Sequence, residues 1–247
     1  MQKRILFKLH HSLTMLTLKR LLLTVSICCL MATANAEPMD DALAAYKKGD
    51  YKETIRILRP LAAQGNAPAQ YFLGAQYDDG KSVTQNYVEA VKWYKLAAAQ
   101  GNAAAQYVLG IRYAQGRGVT QSDVEAAKWY KLAAAQGVAD AKFNLGNMYA
   151  EGRGVTQNYV EAVKWYRLAA AQGDASAQYN LGFMYHNGQG VTQDYASAHM
   201  WYNLASAAGD ADGAKNRDIV AKLMTPQQIE KAQDMARECE ARNFKGC

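Results

Sequence analysis

The sequence predicts an all-α solenoid made of helical hairpins, and three observations support this prediction. One register of residues returns at a fixed spacing of 36 in the segments 67–102, 103–138, 139–174 and 175–210. Within each segment the apolar residues fall at helical spacing, as Ala69, Leu73 and Tyr77 do in the first. No segment alternates polar and apolar residues as a strand would. A fixed period of this length is typical of repeats that bury their apolar faces against their neighbours.

The first 36 residues are typical of an export signal that begins at Met1 or Met15. A short apolar run covers residues 21–31, and Ala34-Asn35-Ala36 is a cleavage site, with cleavage expected after Ala36. The run is shorter than the ~20 residues that span a bilayer. We therefore expect a periplasmic or secreted mature protein with no stable membrane span, a membrane anchor being the alternative. The basic residues before the run are Lys3, Arg4, Lys8, Lys19 and Arg20.

Removing this segment changes the charge of the chain. The segment holds five of the 28 Lys and Arg residues and none of the 22 Asp and Glu residues, which leaves 23 against 22. The mature chain is therefore close to neutral. Its charge gives no support to binding of nucleic acid or of anionic membranes.

Residues 37–66 are predicted to form an N-terminal capping hairpin. Residues 37–40 are expected to be a short mobile lead. Helices are expected from Asp40 to Lys48 and from Tyr51 to Ala63, with Gly49 in the turn between them. The hairpin lacks the long connector of the later repeats, as is usual for a terminal repeat that meets water on one side.

Each of the four repeats divides at a glycine-containing connector into a first and a second helix. Gly74 in the first helix costs about 1 kcal/mol relative to Ala, so its return in every repeat predicts a close approach of the second helix. Trp93 is the bulky neighbour expected to fill that hollow. Gly101 is expected to end the second helix in a left-handed conformation. Ser82 replaces the connector glycine of the later repeats, so the first connector is expected to differ.

The second helices begin with capping signals. Asn86, Ser122 and Asn158 are each followed three residues later by Glu, the pattern of a capping box. Repeat four has Asp194 followed by Ser197 instead, which keeps the cap and loses the reciprocal acid.

Residues 211–247 are predicted to form the C-terminal cap. One helix is expected from Ala211 to Met224, and Thr225-Pro226 begins a second that runs to about Ala241. Cys239 and Cys247 lie eight residues apart, and in an oxidising compartment they can form a disulfide that clamps the terminus. Two free thiols or an intermolecular bond are the alternatives.

Repeat three carries Leu-Gly-x-x-Tyr, then Gly-x-Gly-Val, then Ala-x-x-Trp-Tyr-x-x-Ala-Ala, and the other repeats carry most of this pattern. On these residues the repeats resemble the Sel1-like family, a subclass of tetratricopeptide-like helical solenoids. The resemblance implies an interaction scaffold, usually an adaptor or host-interaction protein when the member is exported. Some disulfide-rich members are described as penicillin-binding or β-lactamase-like, but these have a cysteine pair in most repeats, and repeats one to four here have none. Repeat three carries the whole family pattern: Leu145-Gly146, Tyr149, Gly152, Gly154-Val155, Ala162, Trp165-Tyr166, Ala169-Ala170 and Gly173.

No catalytic, metal or cofactor site is predicted. Gly116-Arg117-Gly118 has no third glycine and no preceding strand, so a turn is favoured over a phosphate loop. No serine of the repeats has the Lys three residues later that a serine β-lactamase requires. His186 and His199 have no neighbouring ligand motif.

Binding is expected on the concave face formed by the first helices, opposite the packed stripe. There the repeats carry different residues, while an aromatic column is steadier and offers rigid contact area. The leading hypothesis is a non-enzymatic scaffold that binds an unknown protein or peptide; a β-lactamase-like or penicillin-binding enzyme and a purely structural spacer are the alternatives. The predicted contact residues are Tyr71, Phe72, Ala75, Tyr107, Val108, Ile111, Phe143, Asn144, Asn147, Tyr179, Asn180 and Phe183.

Overall fold

The computed structural model of the protein describes residues 36–247. This range contains twelve α-helices and no β-strand, which confirms the predicted all-α class. None of these helices is both long and apolar enough to span a bilayer. The predicted export signal lies outside the described residues, except for Ala36. The helices are α1 Ala36–Lys47, α2 Tyr51–Ala63, α3 Ala67–Asp79, α4 Tyr87–Ala99, α5 Ala103–Gln115, α6 Asp123–Ala135, α7 Ala139–Glu151, α8 Tyr159–Ala170, α9 Ala175–Asn187, α10 Tyr195–Ala207, α11 Ala211–Ala221 and α12 Pro226–Ala241.

The described residues divide into two compact units, residues 36–85 and residues 86–247. In the first unit, α1 and α2 form a hairpin whose buried contacts include Ala42 and Leu58. Gly49 turns the chain between them at a φ of +77°. The expected mobile lead at residues 37–40 is wrong, because α1 already begins at Ala36.

In the second unit, α5–α6, α7–α8 and α9–α10 are three successive hairpins. A connector glycine of each hairpin lies against the start of the preceding second helix. A Cβ at Gly118 would collide with the carbonyl oxygen of Tyr87, and a Cβ at Gly154 would collide with that of Asp123. Both glycines have positive φ, whereas Ser82, at the matching place in the first unit, does not. Its hydroxyl instead donates a hydrogen bond to Gln76, as expected from the departure at this position.

In the second unit, the glycine of each first helix is required by a tyrosine of the partner helix. A Cβ at Gly146 would lie 2.6 Å from Cδ1 of Tyr166, and Gly110 and Gly182 meet their tyrosines in the same way. The prediction that the tryptophan fills this hollow is wrong. Trp165 is only half-buried and packs on the core of the preceding hairpin, because adjacent residues of a helix point about 100° apart.

The predicted N-caps are confirmed. The side chains of Asn86, Ser122 and Asn158 each accept a hydrogen bond from the backbone N–H three residues later, and Asp194 accepts one from Ala196. The acids of the expected capping boxes have another role, since each binds the lysine that follows it by three residues. These exposed pairs are Glu89–Lys92, Glu125–Lys128 and Glu161–Lys164, each at 2.5 Å.

The C-terminal helices both pack on α10. The first, α11, ends at Ala221 and not at the expected Met224. The second, α12, begins with the expected capping box between Thr225 and Gln228. Its buried face brings Ala236 and Cys239 into the core cluster of the second unit.

The two cysteines of the C-terminal segment meet in the structure. The Cα atoms of Cys239 and Cys247 lie 5.6 Å apart, within the range that a disulfide spans. Cys239 is buried and Cys247 packs beside the same cluster. The pairing fits the predicted clamp, and its formation in the cell stays a prediction.

Candidate functional site

The predicted contact residues of the first unit, Tyr71, Phe72 and Ala75, are half-buried. One of them, Phe72, lies against the N-terminal cap. The ring of Tyr71 meets that of Phe72 edge-on, with centroids 5.4 Å apart. Phe72 also lines a gap of about 10 Å³ together with Met39 and Leu43 of α1. Phe72 therefore contributes to packing at this end, while Ala75 is half-buried beside it in the sequence.

The aromatic column of the second unit supports the hairpins from inside. The ring centroid of Tyr107 lies 6.0 Å from that of Tyr130. The pairs Phe143–Tyr166 and Tyr179–Tyr202 repeat this contact at 6.1 and 5.5 Å. Because the second member of each pair fills the glycine hollow, these predicted contact residues hold the fold as well as facing outward.

A row of polar contacts joins successive first helices. Asn144 is a hydrogen-bond partner of the Tyr107 hydroxyl. One repeat later, Nδ2 of Asn180 donates to Oδ1 of Asn147 at 3.1 Å. At the C-terminal cap, Nδ2 of Asn216 donates to the Tyr179 hydroxyl at 3.2 Å. Asn144, Asn180 and Asn216 are spaced by 36 residues, so this row continues the repeat period into α11.

Three of the twelve predicted residues, Asn147, Asn180 and Phe183, line a pocket of about 370 Å³ among α7, α8, α9 and the loop after α9. We call it the amide pocket. Phe183 is the most open of the twelve, at 43% exposure, and the others are half-buried. Ile111 lies instead against the core of α6 and α7, and Val108 and Asn144 are not among the lining residues. The other residues that line the pocket are Ala150, Glu151, Tyr159, Tyr166, Met184 and Gln189.

Sequence reasoning missed these six residues for two reasons. Tyr166 has a counterpart in every repeat, and a residue common to all repeats indicates packing and not a varied binding position. Glu151 and Gln189 lie near the connectors, outside the helical positions assigned to the binding face. They do vary between repeats, since Glu151 corresponds to Gln115 and Gln189 to Arg153. That variation is the signal that could have identified them.

The hydrogen bonds in the pocket leave one donor group and one acceptor unused. Oδ1 of Asn147 accepts from the Tyr166 hydroxyl at 2.7 Å and from Nδ2 of Asn180 at 3.1 Å. Two groups of this pair remain. Nδ2 of Asn147 and Oδ1 of Asn180 make no hydrogen bond within this network of described residues. Burial raises the pKa of Tyr166, a hydrogen bond with Asn180 opposes the shift, and the Glu151 charge adds to it. The hydroxyl therefore stays protonated at neutral pH and can keep donating.

Repeat four lacks this network at the matching place. Phe183 occupies the position that Asn147 has one repeat earlier, and Tyr202 occupies that of Tyr166. The Tyr202 hydroxyl is buried without a hydrogen-bond partner among the described residues. An unsatisfied buried group of this kind costs about 1–3 kcal/mol.

Glu151 is the one lining residue of the amide pocket that carries charge at neutral pH. Its carboxylate accepts a hydrogen bond from Arg153 at 2.5 Å. The same guanidinium lies 3.9 Å from Asp123. The Arg153 and Glu151 side chains are about half exposed and that of Asp123 is half-buried, so each pair contributes about 1 kcal/mol.

Within residues 36–247 no group of three or more His, Cys, Asp or Glu side chains is placed to hold a metal ion. His186 makes an edge-on contact with the Tyr195 ring. His199 is buried, and burial together with nearby Arg217 lowers its pKa while Asp218 opposes the shift. The two histidines that were considered as ligands thus lie in aromatic and packed surroundings.

Successive helical hairpins closed by inserted tyrosines, with connector glycines that touch the preceding hairpin, define a repeat protein of the tetratricopeptide-like class. The Sel1 repeat family matches residues 67–102, 103–138, 139–174 and 175–210. The chain belongs to this family. Sel1 repeat proteins generally mediate protein–protein interactions.

Two solved structures are similar. A Sel1 repeat protein from Oxalobacter formigenes has 35% identity and a TM-score of 0.66, over 81% of this chain and 74% of that one. The c5321 protein, a protective antigen present in uropathogenic Escherichia coli strains, has 44% identity and a TM-score of 0.63 over 64% of this chain. The alignment covers 34% of c5321, so the chain spans about a third of that protein. A search of curated proteins gives no match.

Proposed function

We propose that this protein is a non-enzymatic interaction module that is exported to the periplasm or secreted. Its partner is a protein or peptide that contacts the first-helix face of the second unit. The observation that carries the proposal is the amide pocket, where the unused Asn147 donor and Asn180 acceptor lie beside the open ring of Phe183. Rigid aromatic area next to adaptable polar groups is the usual chemistry of a protein-binding surface.

Export is supported by the leader-like first 36 residues and by the cysteine pair near the C-terminus. Disulfides persist in oxidising compartments such as the periplasm. The similar c5321 protein is described as a protective antigen, which is consistent with export. Intact mass of the protein from cells should correspond to a chain that begins at Glu37 and lacks two hydrogens; a full-length mass with reduced thiols would contradict export.

Site-specific photo-crosslinking tests the binding face. A benzoylphenylalanine at Phe183 should give crosslinks to a partner in intact cells. The matched control is the same residue at Leu168, which is similarly exposed, at 48%, but lies on a second helix outside the pocket. Crosslinks from Leu168 and not from Phe183 would place the partner elsewhere. Crosslinks from neither would favour a structural spacer.

The enzymatic alternative makes a separate prediction. A penicillin-binding or β-lactamase-like protein forms a covalent adduct with labelled penicillin or hydrolyses it. We expect neither, and either result would overturn the non-enzymatic proposal.

A further inference from the structure

The amide pocket has the hydrogen-bonding pattern of an exposed peptide backbone. Asn147 Oδ1 is occupied by two internal donors, which orients its NH₂ group as a donor for a ligand. Asn180 uses its NH₂ group internally, which leaves its Oδ1 as an acceptor. One donor beside one acceptor matches the C=O and N–H groups that an extended chain exposes along its edge.

The rest of the pocket offers a place for an apolar side chain. Phe183 is partly open and Ala150 is half-buried, and they form an apolar patch in the pocket lining, which also includes the buried Met184. A buried aliphatic side chain contributes about 1.5–3 kcal/mol when it leaves water completely. The patch therefore favours an aliphatic residue over a polar one.

The negative charge of Glu151 favours a basic residue near the aliphatic side chain of the ligand. The Glu151 carboxylate is exposed and bound to Arg153, whose guanidinium already lies near a second acid, Asp123. Since an exposed ion pair contributes little, a ligand cation can take the Glu151 carboxylate while Arg153 stays with Asp123. In an extended chain residues i and i+2 share one face, so the cation belongs two residues from the aliphatic side chain.

Building on the proposed function, we propose that the amide pocket binds an extended peptide segment through its backbone, with an aliphatic side chain on Phe183 and a lysine or arginine two residues away at Glu151. The ligand class is a basic and aliphatic linear segment of a partner protein. An acidic segment is disfavoured, because Glu151 would repel it.

Titration of the ¹⁵N-labelled mature protein with short capped peptides tests this directly. The probe is acetylated and amidated Ala-Leu-Ala-Lys-Ala. Its reversed sequence is titrated as well, so that both directions of the peptide across the pocket are tested. Exchange of the lysine for glutamate should weaken binding about fivefold, the upper end for an exposed ion pair. N-methylation of the central amide removes one backbone donor and should weaken binding about tenfold.

Two variants separate the contributions of the pocket. Asn147→Asp keeps the oxygen that accepts from Tyr166 and Asn180 and removes the NH₂ group. It should weaken binding of capped Ala-Leu-Ala-Ala-Ala about tenfold; this peptide has no lysine that the new carboxylate could attract. Glu151→Gln should abolish the preference for lysine over glutamate and retain binding. Asn203→Asp, on the second helix of repeat four and outside the pocket lining, keeps the oxygen that accepts from Arg217 and is the matched control; it should bind as the wild type does.

Equal affinity for the lysine and glutamate peptides, unchanged binding by folded Asn147→Asp, or no saturable shift at millimolar peptide would each overturn the inference. If crosslinks from Phe183 are nevertheless present, the interaction function stands and only this ligand class is wrong. If both experiments are negative, both proposals fail.

Discussion

Repeats three and four share a scaffold and differ in what they expose. In both, a glycine of the first helix receives a tyrosine of the second, Tyr166 or Tyr202. In repeat three the tyrosine hydroxyl has a partner in Asn147, and in repeat four the corresponding residue is Phe183 and the hydroxyl has none. Residues common to the repeats thus build the hairpin, and a single change beside the glycine decides whether the face becomes polar or apolar.

The second helices differ as well. Leu168 of repeat three is 48% exposed, whereas its counterpart Leu204 is 1% exposed. The difference is due to α12, which packs on α10 and brings Ala236 and Cys239 against Leu204 and Trp201. The same sequence position is therefore surface in one repeat and core in the next, depending on the helix that covers it.

The largest loss of stability is expected at the first-helix glycine, which both repeats share. Gly146→Leu and Gly182→Leu should each lower the free energy of unfolding by about 3 kcal/mol or more, because even a Cβ would lie within 2.6 Å of the tyrosine ring. Chemical denaturation of both variants measures this. Ala207→Leu at an exposed site of α10 is the control. A loss in one repeat only would show that the hollows are not equivalent.

The second-largest difference in stability is expected between variants of the buried Leu204 and of the exposed Leu168. Leu204→Ala should cost about 2–3 kcal/mol, the usual effect of truncating a buried leucine. Leu168→Ala should stay within about 0.5 kcal/mol, as for most exposed positions. Equal losses in urea denaturation would mean that α12 does not cover α10 in solution.

A cap distinguishes the first helices of the two repeats. Asp174 accepts a hydrogen bond from Ala177 N–H at the start of α9, while Val138 at the start of α7 provides no side-chain acceptor. Val138→Asn should therefore raise the free energy of unfolding by about 1 kcal/mol. Val138→Ala separates the cap from loss of the valine side chain, and an asparagine variant no more stable than the alanine variant would refute the prediction.

Removal of the tyrosine hydroxyl should change the stability in opposite directions in the two repeats. Tyr166→Phe breaks a partly buried hydrogen bond with Asn147 and should destabilise by about 1 kcal/mol. Tyr202→Phe removes a hydroxyl without a partner and should be neutral or slightly stabilising. Melting temperatures compare the two, and a similar loss in both would show that Tyr202 does find a partner.

The smallest effect is a dependence on pH that only repeat four should show. Its buried His199 corresponds to Val163 in repeat three. Because burial lowers the pKa of His199 in the folded state, the unfolded chain binds more protons, and stability should fall as pH drops below the unfolded value of about 6.5. Nearby Arg217 strengthens this effect and Asp218 weakens it. Melting temperatures of His199→Val should vary less between pH 7 and pH 5 than those of the wild type; an unchanged slope would exclude His199 as the cause.

Sequence reasoning predicted the helices, their caps and the repeat register, because these depend on local spacing and on backbone groups near in the chain. It assigned Trp165 instead of Tyr166 to the glycine hollow, since a helical stripe shows which side is apolar and not which neighbour enters a gap. It also assigned the aromatic column to binding, although Phe143 rests on Tyr166. The Asn147–Asn180 pair could not be predicted, because it depends on side-chain directions across two repeats.

Residues common to the repeats hold the hairpins together, and we propose that the differing residues contact the partner. NMR of the side-chain amide groups of Asn147 and Asn180, recorded together with the leucine methyl groups during titration with the leucine–lysine peptide, tests it most directly. We expect saturable shifts of both amides, with Leu96, Leu132 and Leu168 of the exposed second-helix faces unchanged. Shifts confined to those leucines, with both amides unaffected, would contradict it.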